Sequence, residues 1–184
     1  MLMKLRCSPS QYSSGSGLDP IKIRVLHSME NIAEITYLLH RAYGNLANMG
    51  LKYLAAHQSD EVTRNRILSG ECWVALTQDT LVGTILFKNT KQTDGSPWLD
   101  RPEVASFGQL AVHPELQGTG LGCQLISIAE MRASETGATE IALDTAEPAE
   151  HLVAFYNRLG YRLIERAQWS HANYGSVILS KSVQ

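Results

Sequence analysis

A chain of 184 residues, 44% hydrophobic and 18% charged, is long enough to bury a core and has the composition of one soluble globular domain. A formal net charge of −2 and a pI near 6.3 leave no basic field for nucleic acid or an anionic membrane, and no apolar run approaches the roughly 18 residues of a membrane span. Cys7, Cys72 and Cys123 fit neither a disulfide framework nor a zinc site by number and spacing, so the expectation is a cytoplasmic protein with no metal.

Residues 1–20 hold the Ser/Gly-rich stretch QYSSGSGLDP and are expected to be a flexible tail, leaving 21–184 as the domain. Ile21 to Val25 alternates apolar and basic residues, the pattern of a half-buried strand. Ser28 is the expected cap of a helix with Glu30 in its first turn, and Ile32, Ile35, Leu39, Ala42 and Leu46 form its apolar stripe. Residues 45–58 have helical pieces broken by Gly50. Ser59 then caps a short polar helix through Leu68, which Gly70 ends.

Cys72 to Leu76 and Thr80 to Phe87 are β-rich runs joined by Thr77-Gln78-Asp79, an antiparallel hairpin. A long polar loop, 89–103, follows. Ser106 to Val112 reads as a fourth strand stopped by His113-Pro114, and Gln117-Gly118-Thr119-Gly120-Leu121-Gly122 opens a helix that Gly137 ends. Glycines at a helix start let backbone N–H groups approach an anion closely, and the helix dipole favours phosphate there. Ile141 to Thr145 is a fifth strand, and Pro148 begins a helix with Leu152, Phe155, Tyr156 and Leu159 on one face, stopped by Gly160. Tyr161 to Glu165 and Ser176 to Leu179 are the last strands, with a loop between. The order implies an α/β (α+β) fold: a mixed, mostly antiparallel sheet of about seven strands flanked by about four helices.

Two segments carry a resemblance. Gln117-x-x-Gly120-x-Gly122, after a strand ending Leu110-Ala111-Val112, resembles motif A of the GNAT superfamily of acetyl-CoA-dependent N-acetyltransferases. Phe155-Tyr156-Asn157-Arg158-Leu159-Gly160-Tyr161 is similar to that family's Y-x-x-x-G-[FY] segment. The likeness covers roughly residues 21–179. It implies that N–H groups of Gln117, Gly118, Thr119, Gly120, Leu121 and Gly122 cradle the CoA pyrophosphate. It also implies a splay between the fourth and fifth strands, so that Leu110, Ala111 and Val112 present backbone groups to the pantetheine arm and polarise the thioester. Tyr156 then matches the general acid that protonates the departing thiolate. The implied activity is acetyl transfer from acetyl-CoA to a primary amine by direct attack, and the family's habit also implies a possible homodimer through the late strands.

Two departures stand out. Relatives often place a glutamate on the fourth strand, whereas Ser106-Phe107-Gly108-Gln109 has no carboxylate, which leaves Glu71, Glu103, Asp144 or a water relay to accept the amine's proton. Ala149 stands where many relatives carry an asparagine. The acceptor is expected among the loops 45–58, 89–103 and 168–175, which also hold Trp98, Trp169 and Tyr174. Two rival readings remain open. One is a dinucleotide site, with Gly118-x-Gly120-x-x-Cys123 near the fingerprint and Asp144 as ribose-binding acid; the other is a CoA-binding sensor without turnover.

Overall fold

The computed structural model describes residues 20–27 and 31–183. The expected tail and the Ser28 cap with Glu30 lie outside the described residues. Thirteen short elements reduce to seven strands and four α-helices: β1 (Lys22–Val25), α1 (Ile32–Asn48), α2 (Asp60–Leu68), β2 (Glu71–Thr77), β3 (Thr80–Lys88), β4 (Val104–Val112), α3 (Leu121–Glu135), β5 (Glu140–Ala146), α4 (Glu150–Arg158), β6 (Arg162–Ala167) and β7 (Ser176–Ser182), with two 3-10 turns at 54–56 and 114–116. Among the described residues no helix is long and apolar enough to cross a membrane.

The strands form one sheet in the order β1-β2-β3-β4-β5-β7-β6. Every neighbouring pair is antiparallel except β4 and β5, which run parallel. That pairing is also the shortest. It keeps Val104 opposite Glu140, Ala105 opposite Ile141 and Ser106 opposite Ala142, and beyond Ser106 the two strands part. The splay between fourth and fifth strands is therefore present.

Helices cover both faces. Leu121, Leu125, Ile126, Ala129 and Ala133 are the buried stripe of α3, and they pack with Ile85, Phe87, Ala105, Phe107, Val112, Ile141 and Tyr156. On the opposite face Ile32, Ile35, Leu38 and Leu39 of α1 meet Ile67, Val74, Leu86 and Ala111. Strand β4 contributes Ala105 and Phe107 to the first cluster but Ala111 to the second and Val112 to the first again. Parity changes because β4 bulges against Ile85, with Gln109 in the left-handed region at φ 48°. The third patch of core was not expected. Leu99 and Trp98, from the polar loop, cover Val104, Ala142 and Ile178.

Local chemistry explains the joints. Ser59 Oγ accepts from Val62 N–H at 3.3 Å, the cap that the sequence implies for α2. The β2–β3 hairpin turns on Gln78 and Asp79 alone, both with positive φ as a two-residue turn requires. At the end of α3, Ala138 N–H donates to Ala133 O and Gly137 N–H to Ser134 O, a Schellman closure that uses Gly137 at φ 84°. Pro148 precedes α4 rather than starting it, and Ala149 is the cap residue. Cys72 is a free, buried thiol.

Candidate active site

The site has two ends, built from different parts of the chain. The first is where β4 leaves β5. His113 N–H donates to Val82 O at 2.8 Å, and Val112 stands opposite Gly83. In an antiparallel ladder this register turns the N–H and C=O of Val112 away from β3, into the gap left by the splay. Ala111, opposite Thr84, directs its main chain at β3 and its side chain into the α1 cluster. Leu110, the residue before them, lines the wall of the neighbouring cleft and packs against the α3-side core. Gln117 Nε2 donates to Val112 O at 3.2 Å, so the turn is tied back to the end of the strand.

The turn then enters α3. Gly118 and Gly120 have φ of 80° and 96°, conformations that L side chains resist, and Gly120 is the helix cap. Thr119 Oγ1 donates to Leu116 O at 2.7 Å, and Leu121 turns its side chain into the core. Among the described residues no side chain caps α3 and no acidic residue lies in its first turn, so none of them compensates the positive end of its dipole. Gly122 is the informative position. It is already helical, where glycine is about 1 kcal/mol worse than alanine. A Cβ there would meet nothing nearer than Val112 Cγ2, at an ordinary 3.8 Å. Among the described residues no packing contact gives a reason for glycine; an approaching pyrophosphate would. The residues therefore fit a CoA-type group: donors without competing acid, and bare backbone where it must come close.

The second end is a cleft of about 620 Å³ on the other side of the bulge. All three loops expected to hold the acceptor line it: Tyr53 to Ala55, then Asp94 and Leu99, then Trp169, His171 and Tyr174. Three aromatic rings pack in a row, Tyr43 to Tyr53 at 5.4 Å and Tyr53 to Tyr174 at 5.0 Å between centroids. Tyr53 is locked by its hydroxyl, which accepts from Ala146 N–H at 2.9 Å and lies 3.0 Å from Thr145 Oγ1.

Tyr156 sits at the mouth of the gap. Its ring lies 6.3 Å from Phe107, the first residue beyond the last β4–β5 pair, and it lines the cleft. Burial, followed by the nearby Tyr43, Tyr53 and Asp144, pushes its hydroxyl far above the usual phenol range, so it stays protonated and able to donate. Among the described residues its hydroxyl has no hydrogen-bond partner.

Of the three carboxylates left open by the sequence, only Asp144 reaches the cleft. Glu71 accepts from Arg132 at 2.8 and 3.0 Å and from Trp73 Nε1 at 2.7 Å, away from this site, and Glu103 pairs with Arg101. Asp144 points out of β5 into the cleft, where Oδ2 accepts from Trp169 Nε1 at 3.0 Å. The side chain is reachable by solvent yet walled by protein. Desolvation therefore raises its carboxyl above the ordinary range, against the pull of the Trp169 hydrogen bond, Arg66 and His171. Glycine-turn residues 117–122 are absent from the lining of this cleft, so Asp144 does not meet them as a ribose-binding acid would. The mixed sheet likewise differs from the doubly wound parallel sheet of the dinucleotide fold.

The asparagine missing at Ala149 has an explanation. Ala149 is fully buried with Leu46, Leu51 and Ala146, so hydrophobic packing against α1 fills its place. Trp169 and Tyr174 line the cleft, whereas Trp98 packs into the core patch with Arg101 over its ring at 4.4 Å. Sequence reasoning missed Tyr43 and Arg66, on α1 and α2, whose faces read as ordinary core or surface, and did not single out Tyr53 within the expected 45–58 segment. Among the described residues no group of three or more His, Cys, Asp or Glu side chains is placed to hold a metal ion.

Comparison with known proteins agrees with this geometry. The model of the acetyltransferase (GNAT) family matches residues 32–161. An uncharacterized N-acetyltransferase of Bacillus subtilis, YvbK, is 28% identical over 110 residues, which are 60% of this chain and 64% of that one, so the match spans just under two thirds of that relative. The S-(2-succino)cysteine N-acetyltransferase of the same species is 24% identical over 145 residues, 76% of this chain and 82% of that one. A Bacillus subtilis acetyltransferase solved in complex with CoA superimposes with a TM-score of 0.63 at 21% identity, over 90% of this chain and 100% of the other.

Proposed function

Because this chain belongs to the acetyltransferase (GNAT) family, we propose that it moves an acetyl group from acetyl-CoA to a primary amine held in the aromatic cleft, by direct attack with both substrates bound. The observation that carries this reading is the gap opening after Ser106, with the main chain of Val112 along it and Tyr156 at its mouth.

Acetyl-CoA supplies an activated acyl group, a thioester. The chain's residues do the rest. The first turn of α3 and the turn before it hold the pyrophosphate through N–H groups. Val112 N–H, facing the gap, serves as a donor to the thioester carbonyl as negative charge develops on its oxygen. An alkyl ammonium of pKa about 10.4 must lose a proton before it can attack. Asp144 takes that proton, and its raised pKa makes it a better base than a solvated aspartate. As the C–N bond forms and the C–S bond breaks, the Tyr156 hydroxyl gives its proton to the departing sulfur, and the second proton shed by the amine nitrogen restores the phenol, leaving an amide and a free thiol. A thiol of pKa about 8.5 leaves with modest help, so Tyr156 assists rather than decides.

A sensor without turnover was the reading kept alive by the missing carboxylate on β4. Asp144, on β5, offers a carboxylate in the same cleft and favours the enzyme. Thiol release from acetyl-CoA over a panel of amines, with calorimetric titration of acetyl-CoA and NAD, tests the proposal. Amine-dependent release and tighter binding of acetyl-CoA are expected. Binding without release over the whole panel would leave the sensor, and preference for NAD would overturn both.

A further inference from the structure

The cleft carries a second charge that acetyl transfer alone does not require. Arg66, on α2, lines it opposite Asp144. Arg66 is near enough to pull the Asp144 carboxyl downward against its desolvation, yet no ion pair joins the two among the described residues. Arg66 Nη1 donates instead to Gln58 Oε1 at 3.2 Å. A guanidinium can only donate, so this contact fixes which end of the Gln58 amide is oxygen. Gln58 Nε2 must then face the other way, where it donates to Thr63 Oγ1 at 2.7 Å and to Gln109 Oε1 at 3.1 Å. Gln109 therefore has its Nε2 left over. That atom is a buried donor with no partner, on a residue only 5% exposed that lines the cleft and holds a strained φ of 48°. Leaving such a donor unmade is costly, and native folds keep one where a ligand or solvent completes it.

We infer that the acceptor carries a carboxylate as well as its amine, held by Arg66 and Gln109 while Asp144 receives the ammonium group. Arg66 and Gln109 flank the same Gln58 amide, one supplying charge and the other an uncommitted N–H, which is the donor set a carboxylate takes. Asp144 supplies the opposite charge across the cleft, and the Tyr43–Tyr53–Tyr174 row gives an apolar wall for what lies between. The ligand class is a small amino acid or an N-terminal-like amino acid derivative with a free carboxylate. Neutral and polycationic amines lack the group that Arg66 would pair with. This inference rests on the acetyl-transfer reading.

The test is thiol release from saturating acetyl-CoA with matched acceptors, each a free amino acid and its carboxamide. The free acids should react with kcat/KM at least about tenfold higher, mainly through KM, the size of a charge-assisted contact. Arg66→Gln should narrow that acid-to-amide ratio by about tenfold, Arg66→Lys should restore part of it, and Gln109→Leu should narrow it as well. Because the readout is a ratio within one protein, a variant that folds less well still reports. Equal rates for acids and amides, or variants that leave the ratio unaltered, would overturn the inference. Turnover confined to amines without a carboxylate would overturn it while leaving the transferase reading intact, and silence in both series would overturn the two together.

Discussion

The two ends of the site are built on opposite principles. The donor end, residues 110–122, is one continuous segment whose chemistry belongs to the main chain. In its turn and helix start, Gln117 and Thr119 are tied to local carbonyls, Leu121 is turned inward, and 118, 120 and 122 are glycines. The acceptor end is made of side chains: Tyr43, Tyr53, Arg66, Asp144, His171 and Tyr174 come from α1, α2, β5 and two loops. In the proposed reaction a main-chain device can serve any acceptor unchanged, because it would read only a phosphate and an amide arm. A side-chain device is specific to one acceptor class. On the proposed reading, the difference teaches that the reaction is written in the first region and the substrate in the second.

Substitutions at each end should separate the two, and the largest effect is expected at Asp144. Asp144→Asn keeps an acceptor for Trp169 Nε1 but cannot take a proton, so turnover should fall by about 10²-fold or more. The wild-type rate should decline on the acid side at a pH above that of an ordinary aspartate, since the ionised form is needed and its pKa is raised; Asn should abolish that limb. Stability should move the other way. A carboxyl whose pKa is raised by folding penalises the native state as pH climbs past the unfolded value of about 3.9, a loss complete above the raised value. Asp144→Asn should therefore melt no lower than wild type at pH 7, and the gap should close on acidification. A variant that melts lower at pH 7 would show Asp144 to be structural.

Gly122→Leu comes next. It should weaken acetyl-CoA binding by about tenfold or more, read by calorimetry, while improved helix propensity keeps the free protein at least as stable. Unaltered affinity would remove the glycine turn from the donor site. Tyr156→Phe should lower the turnover rate by about tenfold with little effect on acetyl-CoA affinity, and a rate equal to wild type would exclude its hydroxyl from the reaction. The smallest effect lies outside both ends. Ser59→Ala should cost about 1 kcal/mol in denaturant unfolding through the lost cap of α2, which carries Arg66, and leave the chemistry standing.

Sequence reading reaches these regions unequally, for the same reason. Gly118, Gly120 and Gly122 announce the donor end because contiguous glycines at a helix start have a local cause, visible without any tertiary contact. The seven strands and four helices were legible from periodicity, caps and turns, as Ser59, Gly137 and Gly160 illustrate. The bulge at Gln109 was not, since nothing in Gly108-Gln109-Leu110 marks an extra residue; only the switch of Ala111 to the other face reveals it. Arg66 was read as one charge of a polar helix, and its role depends on Gln58 and Gln109, respectively eight residues before it and on a distant strand. The apolar cover that Leu99 and Trp98 give to β5 and β7 was hidden in a segment whose composition is polar.

The account stands on the two ends being separate devices that meet at Tyr156, and calorimetric titration of Asp144→Asn with acetyl-CoA tests this most directly. It predicts an affinity equal to that of wild type in a protein that has lost turnover. An affinity that falls together with turnover would mean that Asp144 belongs to the donor end, and the division would be wrong.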